Sequence, residues 1–201
     1  MSEFDHEPVR GLPGHLPPGE HILWQGAPDW RMLARTAFHV RKVAAYFALL
    51  ALWGAATGSW TGAGITLAMG AAGVGLLHLF AWAAARSTVY TLTEKRLVFR
   101  YGTALTKCIN VPLAMIERAD LRLLPRGTGD IPLKIVGRPG LGWLMLWPHA
   151  RPWAFATPQP MLRAIPDAQG VARMLAERLA TAGAPVPAAD PAPSRREALA
   201  A

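Results

Sequence analysis

Histidine and carboxylate side chains are the first candidates for chemistry in this chain of 201 residues, because they bind metal ions and transfer protons. Its histidines are His6, His15, His21, His39, His78 and His149. None of them stands at a metal-ligand spacing from another histidine, from a carboxylate or from the single cysteine, Cys108. We therefore predict no metal site.

Catalytic motifs are also lacking in the sequence. The acidic residues are sparse and scattered, and there is neither a serine nucleophile elbow nor a Walker-type phosphate loop. Cys108 has no companion motif of histidine and acid, so we expect it to occupy a structural position in a strand. The sequence thus predicts a protein that is not an enzyme and has no catalytic residue.

His78 differs from the other histidines because it lies in an apolar stretch, Gly75 to Trp82. Inside a membrane an imidazole needs a partner. A neutral imidazole nitrogen can ligate the magnesium of a chlorophyll-type macrocycle, and small residues at Gly73 and Gly75 would admit one, so His78 is a candidate pigment ligand. The alternative is a hydrogen bond to a neighbouring helix, or a position near the headgroups because Arg86 follows soon after. The sequence favours this alternative.

Charge is excluded from the middle of the chain. No Asp or Glu occurs from Trp30 to Thr93, and no Lys or Arg from Val43 to Ala85. Burying a charge in hydrocarbon costs about 2.5–3.5 kcal/mol on insertion scales, so a membrane segment avoids charge. At about 1.5 Å per helical residue the uncharged stretch would be about 65 Å long, roughly twice the 30 Å of hydrocarbon. It should therefore cross the membrane twice.

The turn between the two crossings is predicted by the small polar and glycine residues of Thr57–Gly62. We place the spans at about 42–58 and 62–85. Two alternatives remain open, which are a tilted or partly interfacial first helix and a soluble pair of fully buried helices. The second is disfavoured, since a soluble core of this size rarely needs two helices that are apolar on every face.

Orientation follows from the positive charges around these spans. Arg31, Arg35, Arg41 and Lys42 precede the first span, Arg86 closes the second, and the turn has none. We predict a multi-pass protein of the inner membrane with both termini in the cytoplasm, whose first span acts as an uncleaved insertion signal. The single cysteine agrees with that reducing compartment.

Two sets of residues are candidates for contacts in or near the membrane. Basic and aromatic residues at the cytoplasmic flank would contact lipid headgroups or a protein partner, and these are Trp24, Arg31, Arg35, His39, Arg41, Lys42 and Arg86. Glycines of the second span would permit close helix packing, either within the hairpin or against a client helix. These are Gly70, Gly73 and Gly75.

The chain divides into four predicted parts. Residues 1–41 form an irregular N-terminal arm with a basic juxtamembrane segment, and 42–86 form the transmembrane helical hairpin. A cytoplasmic domain follows at 87–183, and the Ala- and Pro-rich residues 184–201 form a disordered tail.

Strands dominate the predicted cytoplasmic domain. Alternating apolar residues predict a β-hairpin of 87–93 and 96–101 about the turn Thr93–Lys95. A helix should run from an N-cap at Asp167 to Gly183. Further strands are expected at about 104–111, 113–123, 130–136, 141–147 and 153–156. The fold class is therefore α+β, with a two-helix transmembrane hairpin and a partly open β-barrel of about seven strands capped by a C-terminal helix.

Basic residues of this domain do not form a patch interleaved with aromatic residues, which nucleic-acid binding would require. Arg118, Asp120 and Arg122 alternate with Ala119 and Leu121, a pattern that predicts a solvated sheet face with the two apolar side chains turned inward. We therefore expect no nucleic-acid partner.

Two sets of motifs carry a resemblance to known families. Tyr90–Leu97, with Gly102, Val111–Leu113 and Ile116, resembles the first half of the bacterial pleckstrin-homology (PH) domain, which commonly follows a pair of membrane helices. A wider resemblance is to the photosynthetic complex assembly protein (PuhB) family of purple bacteria. It adds the stretches Leu23–Pro28, Phe38–Lys42, Gly129–Ile131 and Leu162–Ala168.

This resemblance implies a PH-like fold for the barrel and a role in assembly. The protein would be an assembly factor for the photosynthetic reaction centre and core light-harvesting complex, with their subunits and membrane lipids as partners and with self-association left open. One alternative is a general lipid-sensing or envelope-stress protein with the same domain. A less favoured one is a carrier that binds bacteriochlorophyll through His78, and no other cofactor is expected.

Overall fold

Five α-helices and eight strands occur in the residues described by a computed structural model, which are 11–12, 14–103, 105–137 and 142–181. The helices are α1 (Trp30–Thr36), α2 (Val40–Ala56), α3 (Trp60–Ser87), α4 (Trp143–Leu146) and α5 (Ala168–Thr181). The strands are β1 (Ile22–Gly26), β2 (Val89–Thr93), β3 (Arg96–Tyr101), β4 (Lys107–Pro112), β5 (Ile116–Ala119), β6 (Arg122–Leu123), β7 (Gly129–Ile135) and β8 (Met161–Ile165). The predicted tail and Gly183 lie outside the described residues.

Helices α2 and α3 form a hairpin about a short turn, in which Gly58 has a φ of +82° that favours glycine. Small residues bring the two helices close together. A Cβ added at Gly70 would lie 2.6 Å from the Cβ of Phe47, and one added at Gly54 would lie 3.5 Å from the backbone of Ala63. At Gly70 there is therefore no room for a side chain, whereas at Gly54 a methyl group would make an ordinary contact.

Helix α3 has 28 residues and is, within the part of the chain that the structure describes, the one helix both long and apolar enough to cross a membrane. Only 11% of its apolar window is buried. Helix α2 is shorter, with 17 residues, and Arg41 and Lys42 lie in its first turn. One candidate span is therefore found where two were predicted, and the second remains a prediction.

The predicted irregular arm is wrong for residues 22–36. Strand β1 pairs antiparallel with β2, with Gln25 opposite Thr91. Helix α1 begins after Asp29, whose carboxylate accepts a hydrogen bond from the backbone N–H of Met32 at 2.8 Å. Both elements are short, and β1 shows no clear alternation of exposed and buried residues, so a pattern of fixed period could not reveal them.

Glu20 fastens the segment before β1 to the β2–β3 hairpin. Its buried carboxylate accepts bonds from Arg96 at 2.9 and 3.1 Å and from the hydroxyl of Thr93 at 2.6 Å. Burial alone would raise the pKa of Glu20, but the bonds from Thr93 and Arg96, together with the charges of Arg96 and Lys95, lower it on balance. The segment from Glu20 to the end of β1 is thus part of the folded domain.

Two four-stranded antiparallel sheets share one apolar core. The first has the order β1-β2-β3-β4, and in the second β7 pairs with β5, β6 and β8. The predicted hairpin of β2 and β3 is confirmed. Helix α5 closes the core with Val171, Leu175 and Leu179 on its buried face. The α+β class, the antiparallel sheets and the final helix agree with the sequence.

The order of elements between β7 and α5 differs from the prediction. Trp143–Leu146, inside the strand predicted at 141–147, is the short helix α4, and 153–156 contains no strand. An apolar run without alternation does not distinguish a strand from a helical turn. Strand β8 was missed because its sequence, MLRAI, does not alternate apolar with polar residues.

Gly70→Ala is expected to lower the free energy of unfolding by about 1–3 kcal/mol, because the added methyl group would overlap Phe47 and separate α2 from α3. Gly73→Ala is the matched control, since a Cβ there meets no atom within 4 Å and should cause no loss. Thermal unfolding of the full chain in detergent, followed by circular dichroism, measures both. Equal destabilisation by the two substitutions would contradict the packing role of Gly70.

Candidate functional site

We call α2 and α3 the helix pair, and the two sheets with α5 the β domain. Helix α1 packs along the C-terminal half of α3 and builds the junction between them. Met32 and Leu33 of α1 are buried in one cluster with Ala85 of α3. Ala34 is buried in a second cluster with Val40 and Ala81. The apolar face of α1 is therefore covered by α3, which leaves its other face outward.

Five cations lie on the outer surface of this junction, and we call them the basic collar. They are Arg31, Arg35, Arg41, Lys42 and Arg86, all exposed. The guanidinium groups of Arg31 and Arg86 lie 5.3 and 5.4 Å from the ring centroids of Trp30 and Trp82. Because no acidic residue occurs from 30 to 93, the collar has a positive field suited to anionic headgroups or an acidic partner surface. His39, the residue before α2, lies beside the basic collar. It is also exposed and has a φ of +50°.

Trp24 does not join the basic collar. Its side chain is half-buried, packs against the core of the β domain and covers Gly26. The structure therefore separates this residue from the other predicted contacts, because β1 is a strand of the sheet.

The three candidate glycines have different surroundings. Gly70 lies against Phe47, as described above, whereas a Cβ at Gly73 or at Gly75 would meet no atom within 4 Å. Gly73 and Gly75 thus leave room beside α3 for another helix.

His78 is exposed on α3 and bonds to its own helix. Its Nδ1 lies 2.9 Å from the carbonyl oxygen of Val74, and its ring is nearly perpendicular to that of Trp30, with 6.3 Å between the centroids. A carbonyl oxygen can only accept, so Nδ1 carries the hydrogen and Nε2 has a lone pair. Metal-ligating histidines commonly have this arrangement, with one ring N–H bonded to a backbone carbonyl. The partner is the helix itself rather than the neighbouring helix that the sequence suggested.

An exposed aromatic segment, residues 142–155, was missed by the sequence analysis as a surface feature. Leu144 and Trp153 are 80% and 87% exposed, and Trp147 and Phe155 are also exposed. The ring of Trp147 contacts Phe38, just before α2, at 5.4 Å between centroids. The concentration of tryptophans within this stretch was the available signal, and such amphipathic rings suit a membrane–water boundary or a protein interface.

A chain of buried hydrogen bonds crosses the junction. The backbone N–H of Arg163 donates to the hydroxyl of Tyr90 at 3.3 Å, and the Thr88 hydroxyl donates to the carbonyl of Ala84 at 2.7 Å. Between them lies His149, with Nδ1 2.6 Å from the Tyr90 hydroxyl and Nε2 3.1 Å from Thr88. Thr88 has used its hydrogen, so His149 donates through Nε2 and accepts through Nδ1. This polar chain therefore joins β8 and β2 to the end of α3 and holds His149 neutral.

Burial sets the ionisation of this polar chain. Desolvation, with the nearby charge of Arg163, lowers the pKa of His149 to about 3. Desolvation raises the pKa of Tyr90 far above its ordinary value, and it raises that of Tyr101, whose ring lies against His149, to about 12. All three groups are neutral at physiological pH.

Arg163 connects three further parts of the junction. Its guanidinium donates to the carbonyl oxygens of Pro148 at 2.7 Å and Thr36 at 3.1 Å. Burial lowers the pKa of Arg163, whereas the charge of Asp130 raises it. Burial disfavours the charged form of Asp130 too and therefore raises the pKa of its carboxyl group. That carboxylate accepts a hydrogen bond from the backbone N–H of Ala164 at 2.8 Å. The end of α1, the aromatic segment and β8 are thus held together by one side chain.

A cavity of about 540 Å³ opens beside the polar chain. One wall consists of Leu77, Phe80 and Ala84 from α3, and a second consists of Ala37 and Phe38. The β domain contributes Thr88, Tyr101–Thr103 and Trp147–His149. This volume falls within the range of about 300–1,000 Å³ that is usual for ligand pockets.

Groups of three or more potential metal ligands are absent from the residues that the structure describes. What the junction offers is positive charge, exposed apolar helix surface and an apolar cavity. These are properties of a binding site.

Comparison with known families agrees with the order of these elements. The family model for bacterial PH domains matches residues 36–179, which include both long helices and all strands except β1. The chain belongs to the bacterial PH domain family. The helix pair and the β domain of this bacterial PH-domain protein thus lie within one family match.

A relative of this bacterial PH-domain protein occurs in Rhodobacter capsulatus. Its name describes an uncharacterised 23.7 kDa protein in the 5′ region of puhA. It is 43% identical over 185 residues, which are 87% of this chain and 86% of the relative. No solved structure matches the chain significantly.

Stability should fall in acid because the folded protein holds His149 neutral. Histidine in an unfolded chain titrates near pH 6.5, so between about pH 6.5 and 3 only the unfolded state takes up this proton. The free energy of unfolding is therefore unaffected by this group above pH 6.5. Below that pH it decreases by at most about 1.4 kcal/mol per pH unit.

Unfolding measured from pH 7 to 4 tests this expectation. His149→Gln should have a shallower loss of stability than the wild type, so that the difference between them shrinks towards low pH. His15→Gln replaces an exposed histidine and should leave the slope unchanged. Parallel curves for the wild type and His149→Gln would show that the buried imidazole is not held neutral.

Proposed function

We propose that this protein is a non-enzymatic assembly factor for the photosynthetic reaction centre and core light-harvesting complex. It acts by binding their subunits at the cytoplasmic membrane. In this proposal α2 and α3 are a transmembrane hairpin, and the β domain and both termini face the cytoplasm. The hairpin packs beside incoming pigment-protein helices while the domain holds a partner at the membrane surface.

The observation that carries the topology is the pairing of β1 with β2. Strand β1 precedes the two long helices and β2 follows them, yet both belong to one sheet. The chain before α2 and the chain after α3 must therefore lie on the same side of any membrane. If α3 crosses a bilayer, α2 must cross it too.

The surface of both helices supports a lipid environment. Leu49, Leu52 and Trp53 of α2 are between 66% and 72% exposed, and α3 presents a similar row that includes Ile65, Met69, Leu76 and Leu79. Water-facing helices of soluble proteins have a polar face, which neither helix has between Val43 and Ala85. With 17 residues, α2 is at the lower limit of about 17–25 residues for a span.

Two further points support assembly as the role. The chain resembles the photosynthetic complex assembly family, and its relative in Rhodobacter capsulatus is named for a position beside puhA. The open positions Gly73 and Gly75 give a client helix a place to approach the backbone of α3. The basic collar would keep such contacts at the level of the cytoplasmic headgroups.

Two other functions use the same surfaces. A general lipid-sensing or envelope-stress protein would need the basic collar and the hairpin but no photosynthetic partner. A bacteriochlorophyll carrier would use His78, whose Nδ1 bond to Val74 leaves Nε2 as the ligating nitrogen.

Cysteine accessibility is expected to distinguish the two sides of the membrane. Cys108→Ser removes the single cysteine, and a new cysteine then replaces Ser59 in the α2–α3 turn or Lys95 in the β2–β3 turn. A membrane-impermeant maleimide added to sealed spheroplasts should label Ser59→Cys at once and Lys95→Cys only after lysis. Protection of both positions until lysis would rule out the crossing.

Deletion of the gene in a photosynthetic host should reduce the near-infrared absorption of the reaction centre and core antenna. A tagged wild-type copy should restore both bands and copurify a core subunit. Gly75→Leu should be made at normal levels but lose that subunit, because its side chain would fill the open face of α3. Gly64→Leu, an equally open glycine near the other end of α3, is the matched control.

Normal absorption after deletion, with no copurified core subunit, would contradict the assembly role and favour the lipid-sensing alternative. Bacteriochlorophyll that copurifies with the wild type and is lost from His78→Ala would favour the carrier.

A further inference from the structure

The cavity at the junction is apolar where it meets the helices. Leu77 and Phe80 of α3 form its helix wall, and Phe80 is itself 51% exposed on the apolar outer surface of α3. The cavity therefore continues the surface that the proposed hairpin presents to lipid. Its other end lies within the β domain, at Tyr101 and His149.

Polar groups at the inner end already have partners within the protein. Both ring nitrogens of His149 belong to the polar chain, and so does the hydroxyl of Thr88. The Tyr101 hydroxyl donates to the carbonyl of Met145 at 2.9 Å. These atoms hold the wall in place and leave little hydrogen-bonding capacity for a ligand.

Charge is also lacking in the cavity. None of the described residues that line it is acidic or basic apart from His149, which is neutral. A phosphate or carboxylate inside it would lose its hydration without gaining an ion pair. The part of a ligand that enters must therefore be hydrocarbon, while a charged group remains outside, where Arg86 adjoins the lining residue Ser87.

We infer that this cavity binds one acyl chain of a membrane phospholipid, with the headgroup left at the basic collar. The inference rests on the proposed membrane position of α3. The bound chain would fill the space between α3, Phe38 and Trp147, and would thus be part of the contact between hairpin and domain.

Photolabelling of the full chain in vesicles tests this inference. The probe is phosphatidylglycerol with a diazirine in one acyl chain, and the labelled residues are identified by peptide mass spectrometry. We expect label at Tyr101–Gly102 and Pro148–His149, which lie in the domain and line the cavity. Exposed residues of α3 such as Leu76 and Leu79 should be labelled by the surrounding bilayer.

Two substitutions should remove the cavity label. Leu77→Trp fills the helix wall, and Thr103→Trp covers the cavity from an exposed loop position outside the buried core. Leu79→Trp is the matched control, because Leu79 is exposed on the same helix and does not line the cavity. It should keep the label at Tyr101 and His149.

The outcomes separate this inference from the membrane proposal. Label confined to the exposed faces of α2 and α3, equal in all variants, would overturn the acyl-chain site and leave the hairpin in the membrane. Absence of label from α3 as well would overturn the membrane position itself.

Discussion

The neutral imidazole of His149 is the interaction on which the arrangement of this protein depends. It lies fully within the protein, and each of its nitrogens has one partner, Tyr90 from β2 and Thr88 at the end of α3. A buried polar group that loses its partner costs about 1–3 kcal/mol, so the helix cannot shift relative to the sheet without breaking this polar chain. Arg163 adds the end of α1 and the aromatic segment to the same unit. The helix pair is thus rigidly oriented on the domain.

Because the helix pair has a fixed orientation, surfaces of different charge follow one another along the molecule. Uncharged residues extend from Val43 to Ala85, and five exposed cations lie at the junction. The paired charges of the β domain, such as Lys134 with Glu117, lie beyond it. Surface pairs of this kind add little stability. The positive charge of the basic collar and the apolar helices therefore have the character of binding surfaces, whereas the core of the two sheets is the support that positions them.

The sequence predicted the parts of this structure that depend on local pattern. Alternation revealed the β2–β3 hairpin, helical spacing revealed α5, and the exclusion of charge revealed the pair of long helices. Elements whose residues do not alternate, such as β8, and short elements that dock on distant partners, such as β1, have no local pattern to detect. The polar chain was equally hidden, because His149 is 59 residues from Tyr90 and 61 from Thr88 along the chain.

Strand β1 also imposes an order on biosynthesis. Gln25 is made 66 residues before Thr91, to which it bonds, and the helix pair lies between them. Joining segments across so long a loop is slow and entropically costly unless the loop is already compact. Strand β1 therefore stays unpaired during translation until α2 and α3 have formed and have brought the two ends of the loop together. A copy whose helices fail to pair would leave an unpaired edge on β2, which is exposed to aggregation and to proteases.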